Sequence, residues 1–95
     1  MNPKPAHDLD RFAHEHGFQL QLGRWDFVYS EGRKRLTLPV DMLADGDCLW
    51  QLSRDCIRAW DRPFHTERID DVKATEILER IQTFVELTGK KVRVL

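Results

Sequence analysis

The feature that most constrains this chain is one long periodic run at 70–88. Ala74, Ile77, Leu78, Ile81, Phe84, Val85 and Thr88 fall within about a third of a helical wheel. That predicts an amphipathic helix with a wide apolar face. Asp70 or Asp71 is placed to cap its N-terminus, Glu76 and Arg80 form an i, i+4 pair, and Gly89 stops it. In a chain of 95 residues such a helix has one place to bury its stripe, the single core that a domain of this size forms. The rest of the sequence is therefore read as the surface that covers it.

Most of that surface has a period of two. Phe18, Leu20 and Leu22 alternate with Gln19 and Gln21. After Gly23 the phase shifts, and Trp25, Phe27 and Tyr29 become the apolar side. Ser30-Glu31-Gly32 is a turn signal, and Arg33 to Leu38 reads as a third strand ended by Pro39. Val40 to Asp47 reads as a loop with one helical turn around Met42 and Leu43. Cys48, Trp50 and Leu52 alternate as a fourth strand. Residues 53–62 fit two templates, a hairpin with Cys56 to Trp60 as its return strand, or a helix ended by Pro63; the hairpin is preferred. Val92 and Val94 alternate with Lys91 and Arg93 in a closing strand. A helix between two strands is the crossover a parallel pair requires, and an antiparallel return is also open. At the other end, residues 1–7 read as an irregular arm, and Leu9, Phe12, Ala13 and His16 mark a short amphipathic helix over 8–16 ended by Gly17.

The expectation is one α+β domain over 1–95: a short N-terminal helix, an antiparallel meander of four to five strands within 17–62, a long helix over 70–88 packed on the sheet, and a last strand at 91–95. Fifteen basic and sixteen acidic residues leave a formal charge of −1. That disfavours a generic nucleic-acid binder, whose affinity rests on excess Lys and Arg. The longest stretch without a formal charge is His16 to Gly23, far short of the roughly 20 apolar residues a membrane span needs. No apolar region follows the N-terminal Met-Asn-Pro-Lys-Pro-Ala-His-Asp, so the expected compartment is the cytoplasm.

Residues with reactive side chains give little chemistry. Cys48 and Cys56 form no CxxC pair and no zinc set, and they read as small buried hydrophobes in a reducing compartment. His7, His14 and His16 lack the i, i+4 spacing that paired metal ligands on a helix want. A thiol enzyme would draw on Cys48 or Cys56 with His65, yet nothing places either thiol beside a base or at a helix N-terminus. No glycine-rich phosphate loop and no GxSxG elbow is present. The chain is expected to have no catalytic residues, no metal and no cofactor.

Two charge patterns remain. Arg33-Lys34-Arg35 and Lys90-Lys91-Val92-Arg93 would make a basic patch for nucleic acid if their strands lay close. Residues 41–71 hold eight carboxylates against four arginines. Acidic loops suit a partner with a basic cleft, because complementary fields raise the association rate and select the partner. Asp41, Asp45, Asp47, Asp55 and Asp61 are the candidate contacts, with Trp60 as an aromatic anchor.

The run Arg33-Lys34-Arg35-Leu36-Thr37-Leu38-Pro39-Val40-Asp41-Met42-Leu43, then Arg54-Asp55-Cys56-Ile57-Arg58-Ala59-Trp60-Asp61-Arg62-Pro63, then Ile69-Asp70 opening a helix that ends Gly89-Lys90-Lys91-Val92, resembles a family of small immunity proteins. These accompany bacterial polymorphic toxins, including contact-dependent growth-inhibition systems. The resemblance spans about residues 24–95, with Cys56 standing where a serine is expected and Asp41 where a glutamate is expected. It implies a non-catalytic protein that binds a cognate toxin domain in the cytoplasm, often a nuclease, and blocks it. It supplies no catalytic residues.

Overall fold

The computed structural model describes residues 6–95. Two helices, five strands and one short 3-10 turn follow in the order α1 (Ala6–His16), β1 (Gln19–Leu22), β2 (Asp26–Glu31), β3 (Lys34–Asp45), β4 (Cys48–Leu52), the 3-10 turn (Arg54–Cys56), α2 (Asp71–Leu87) and β5 (Lys91–Val94). The strands form one sheet in sequential order, antiparallel from β1 to β4, with β5 added parallel to β4. The fold is α+β: the sheet curls into a half-barrel, accompanied by a long helix and a short one.

Each helix is defined by its ends. The carboxylate of Asp70 accepts the Lys73 N–H at 2.8 Å, so Asp70 rather than Asp71 is the N-cap of α2. Gly89, at φ 85°, lies just past its C-terminus. α1 closes on Gly17, at φ 70°, with Gly17 N–H donating to the His14 carbonyl and Phe18 N–H to that of Ala13. This paired closure turns the chain at once into β1. Ala74, Ile77, Leu78, Ile81, Phe84 and Val85 of α2 are buried, as the periodicity predicts. Facing them are Leu20, Phe27, Tyr29, Leu36, Leu38, Val40, Leu52 and Val92 from the inner face of the sheet, with Phe18 from the turn before β1. Phe12, Phe18 and Phe84 link α1 to α2 through edge-on ring contacts at 5.6 and 6.2 Å.

Gly23 makes the β1–β2 turn sterically. Its N–H donates to the Asp26 carbonyl at 2.9 Å, and a Cβ there would meet that oxygen at 2.6 Å. Any other residue would push the turn open.

Four expectations change. The short helix begins at Ala6 rather than 8, so the arm read over 1–7 ends earlier; residues 1–5 lie outside the described residues. Pro39 does not end the third strand, and no helical turn forms at Met42 and Leu43: β3 runs on to Asp45. The reason is which way the proline nitrogen faces. Val40 N–H donates across to Trp25 on the β2 side, so by alternation the Pro39 nitrogen faces the β4 side. There the register places Ser53, beyond the last residue of β4, so no ladder bond is lost. Trp25 does not join Phe27 and Tyr29 in the core; it sits on the turn, 73% exposed. Residues 53–62 form neither the hairpin nor the helix. After the 3-10 turn the segment runs as an irregular strap, tied by an isolated bridge between Ala59 and Arg68.

The strap covers an edge. β4 pairs only with the second half of β3, which leaves Arg35 and Thr37 with backbone groups facing outward. Asp61 takes both: its N–H donates to the Arg35 carbonyl at 2.7 Å, and its carboxylate accepts the Thr37 N–H at 3.3 Å and hydroxyl at 2.6 Å. Asp61→Ala removes two of these three bonds and leaves a strand edge short of an acceptor. The expected loss is about 1–2 kcal/mol of stability, read as a lower urea midpoint at unchanged m-value.

Candidate functional site

The two ends of the sheet differ in chemistry. At the β2–β3 turn a polar cluster ties the sheet to α2. Tyr29 Oη donates to Glu31 Oε2 at 2.5 Å, and Arg80 Nη1 donates to Tyr29 Oη at 2.9 Å and to Glu31 Oε2 at 3.2 Å. Lys73 Nζ bridges Glu31 at 2.8 Å and Glu76 at 3.1 Å, and Arg80 Nη2 meets Glu76 at 2.8 Å. Two carboxylates face two cations, so the cluster is neutral. Burial alone would raise the Glu31 carboxyl, but hydrogen bonds from Lys73 and Tyr29 and the charges of Lys73 and Arg80 outweigh it and hold Glu31 below its ordinary value. Burial first, then Glu31, pushes the Tyr29 phenol well above its usual range. No buried side-chain polar atom among the described residues lacks a partner, so the cluster works as a clasp.

At the other end lie the β1–β2 turn and the β3–β4 hairpin. Trp50 reaches across β3: its ring packs edge-on against Phe27 at 5.2 Å, and its Nε1 donates to the Gly23 carbonyl at 3.2 Å. Met42 is the register partner of Trp50 and is 48% exposed. Trp25 is bound to Val40 through its backbone carbonyl, at 3.0 Å, and its side chain stands in solvent. The strand ladder shifts register between Met42 and Asp45, and Gly46, at φ 61°, makes the hairpin tip. A large exposed aromatic and an exposed methionine thus share one end of the sheet, on a turn fixed by hydrogen bonds.

The predicted contact residues divide. Asp41 is exposed on the outer face of β3, Asp45 pairs through its backbone with Cys48, and Asp47 is exposed at the hairpin tip. These three belong to the Trp25–Met42 end, as does exposed Asp26. Lys91 stands beside Asp47, its N–H donating to the Asp47 carbonyl at 2.9 Å, so the acidic excess there is smaller than the sequence count. Asp55 is exposed in the 3-10 turn beyond the far end of β4. Asp61 serves the β3 edge. Trp60 is 5% exposed and stacks on Tyr29 at 6.4 Å, so it offers its ring to the core.

The basic residues are not gathered. Arg35 and Arg93 share the outer face, but Asp41 is the residue that lines up with Gln51 and Arg93 across the strands. Arg35 lies six residues along β3 from Asp41, about 20 Å away. Lys34 is drawn to Glu67 at 2.5 Å and over the Trp60 ring. Cys48 and Cys56 are free thiols, half-buried in β4 and the 3-10 turn, and His65 is exposed in the strap. His14 and His16 are exposed on α1, and among the described residues no group of three ligating side chains could hold a metal.

Sequence reasoning missed Trp25 and Met42. The signal for the first was its position two residues after Gly23, which makes it a turn residue before it is a strand residue. Met42 was hidden by the reading of Pro39 as a stop.

Compared with protein-family models, curated proteins and solved structures, the chain matches none. No helix among the described residues is long and apolar enough to cross a membrane.

The clasp has a pH signature. Glu31 is held below its ordinary value, so its contribution to stability is complete above pH about 4.5 and fades as pH falls through the folded value. Glu31→Gln should cost about 1–3 kcal/mol at pH 7. The gap to wild type should close on acidification below about pH 4, measured by urea unfolding across pH.

Proposed function

We propose that this chain is an immunity-type inhibitor, which binds a cognate toxin domain in the cytoplasm and blocks it without chemistry of its own. The observation that carries the reading is the exposed pair Trp25 and Met42, at 73% and 48%, on an end of the sheet held rigid by Trp50 and Gly23. Aromatic and methionine side chains presented on a fixed frame are what interface hot spots are made of, because little entropy is lost when they are covered. Asp26, Asp41 and Asp47 are exposed at this end and give it an acidic rim. A toxin with a basic cleft and an apolar socket would be recognised by both features. The resemblance over residues 24–95 points to the same class of partner.

The experiment is co-expression of the tagged chain with the C-terminal domain of a large secreted protein encoded just upstream. A stoichiometric complex and rescue from toxicity are expected. Trp25→Ser with Met42→Ser should weaken the complex at least tenfold, mainly through faster dissociation. Asp45→Lys with Asp47→Lys should slow association and flatten its dependence on salt. Clean expression of both chains with neither complex nor rescue overturns the reading.

A further inference from the structure

Among the described residues four stretches of strand edge lack a β-partner, and three are guarded: beyond Val40, the β2 side of β3 carries the register shift between Met42 and Asp45, an irregularity that spoils further pairing. The first half of β3 is covered by Asp61. The outer edge of β5 carries Lys91 and Arg93 in a four-residue strand, a charged edge that discourages further pairing. β1 is different. Its sequence is Gln-Leu-Gln-Leu, with no charge, no proline and no bulge. Gly23 and Asp26 form a bonded pair, so by alternation Gln19 and Gln21 turn their backbone groups toward β2 while Leu20 and Leu22 turn theirs outward. Among the described residues nothing accepts from or donates to those outward groups. Beside this edge lies an open cleft of about 920 Å³ between α1 and the sheet, with Ala13, Phe18, Leu20 and Phe84 at its floor and Asp10 and Arg11 on its α1 wall.

We propose that the β1 edge is where two copies of this chain pair, antiparallel, about a two-fold axis through Gln21. That register is the one that uses all the outward groups: Leu20 of each copy faces Leu22 of the other, making four backbone hydrogen bonds. A register centred on Leu20 would bring up Phe18, whose N–H is already given to Ala13. A two-fold interface must be self-complementary, since a residue that meets another is met by it in return. The cleft wall satisfies this, carrying one anion, Asp10, and one cation, Arg11. The union would join two five-stranded sheets into one of ten and leave the Trp25–Met42 end of each copy uncovered.

The test reads mass and amide exchange on the whole chain. Sedimentation equilibrium of the wild type should rise with concentration toward twice the 11.2 kDa of one chain. Gln21 is exposed, so its substitution spares the core. Gln21→Lys alone and Gln21→Glu alone each place like charges across the axis and should weaken the dimer at least tenfold. An equimolar mixture of the two should restore it. In the wild type, the Leu20 and Leu22 amides should become protected from hydrogen exchange as concentration rises, with Gln21 unchanged. A wild type that stays monomeric at millimolar concentration overturns the proposal, and then a strand of another protein is the remaining occupant of this edge. A dimer indifferent to both charge variants, with Leu20 and Leu22 still exchanging freely, overturns it equally.

Discussion

The apolar stripe of α2 needs cover on more than one side. Ile77, Ile81 and Val85 are wholly buried, and Ala74, Leu78 and Phe84 nearly so. A flat sheet face would touch only the middle of so wide a stripe. Curling the sheet brings residues from all five strands toward the helix, and α1 closes a further side through Phe12, Phe18 and Phe84. Each large side chain so covered is worth roughly 1.5–3 kcal/mol. In a domain this small few other sources of that size exist. The parallel placement of β5 follows from the same demand: α2 leaves the sheet after β4 and must cross its face before the chain can rejoin, so β5 enters alongside β4 in the same direction.

A curled sheet with strands of unequal length has ragged edges. β3 is twelve residues long and β4 five, so half of β3 would run without a neighbour on its β4 side. The strap after β4 answers this with one residue, Asp61, whose backbone and side chain together replace part of a missing strand. Pro39 belongs to the same problem. It stands where β3 passes from the strap to β4, at a position that asks for no donor. A residue that looks like a strand terminator therefore sits in the middle of the longest strand.

These examples explain how much was legible. The long helix, its cap, its stop and the Glu76–Arg80 pair are local, written within a turn or two of sequence, and they stand within one residue of expectation. So do β1, the glycine at its turn, and β4. What escaped depends on partners far away in the chain. Whether Pro39 ends a strand depends on where β4 stops. Whether 53–62 is strand, helix or strap depends on the exposed half of β3. Trp60 stacks on Tyr29 because the strap returns over β2, and the Glu31 clasp joins a turn to a helix more than forty residues on. Of the predicted contact residues, Asp41, Asp45 and Asp47 share one end of the sheet, whereas Asp61 and Trp60 are taken up by the fold.

Trp25 shows the difference most directly. The fold uses its carbonyl, which accepts from Val40 and continues the β2–β3 ladder by one pair. Any residue supplies that carbonyl. The indole contributes nothing comparable, since most of its surface is in water, and an exposed tryptophan invites unwanted association. The same turn shows the strictest economy at Gly23, where even one added carbon collides with Asp26. A turn specified that tightly at one residue carries, two residues later, a large apolar side chain that the fold does not bury. The clasp at the opposite end leaves no buried side-chain polar atom without a partner. At the Trp25–Met42 end Trp50 holds the frame in place, and the two side chains on that frame stay largely in water.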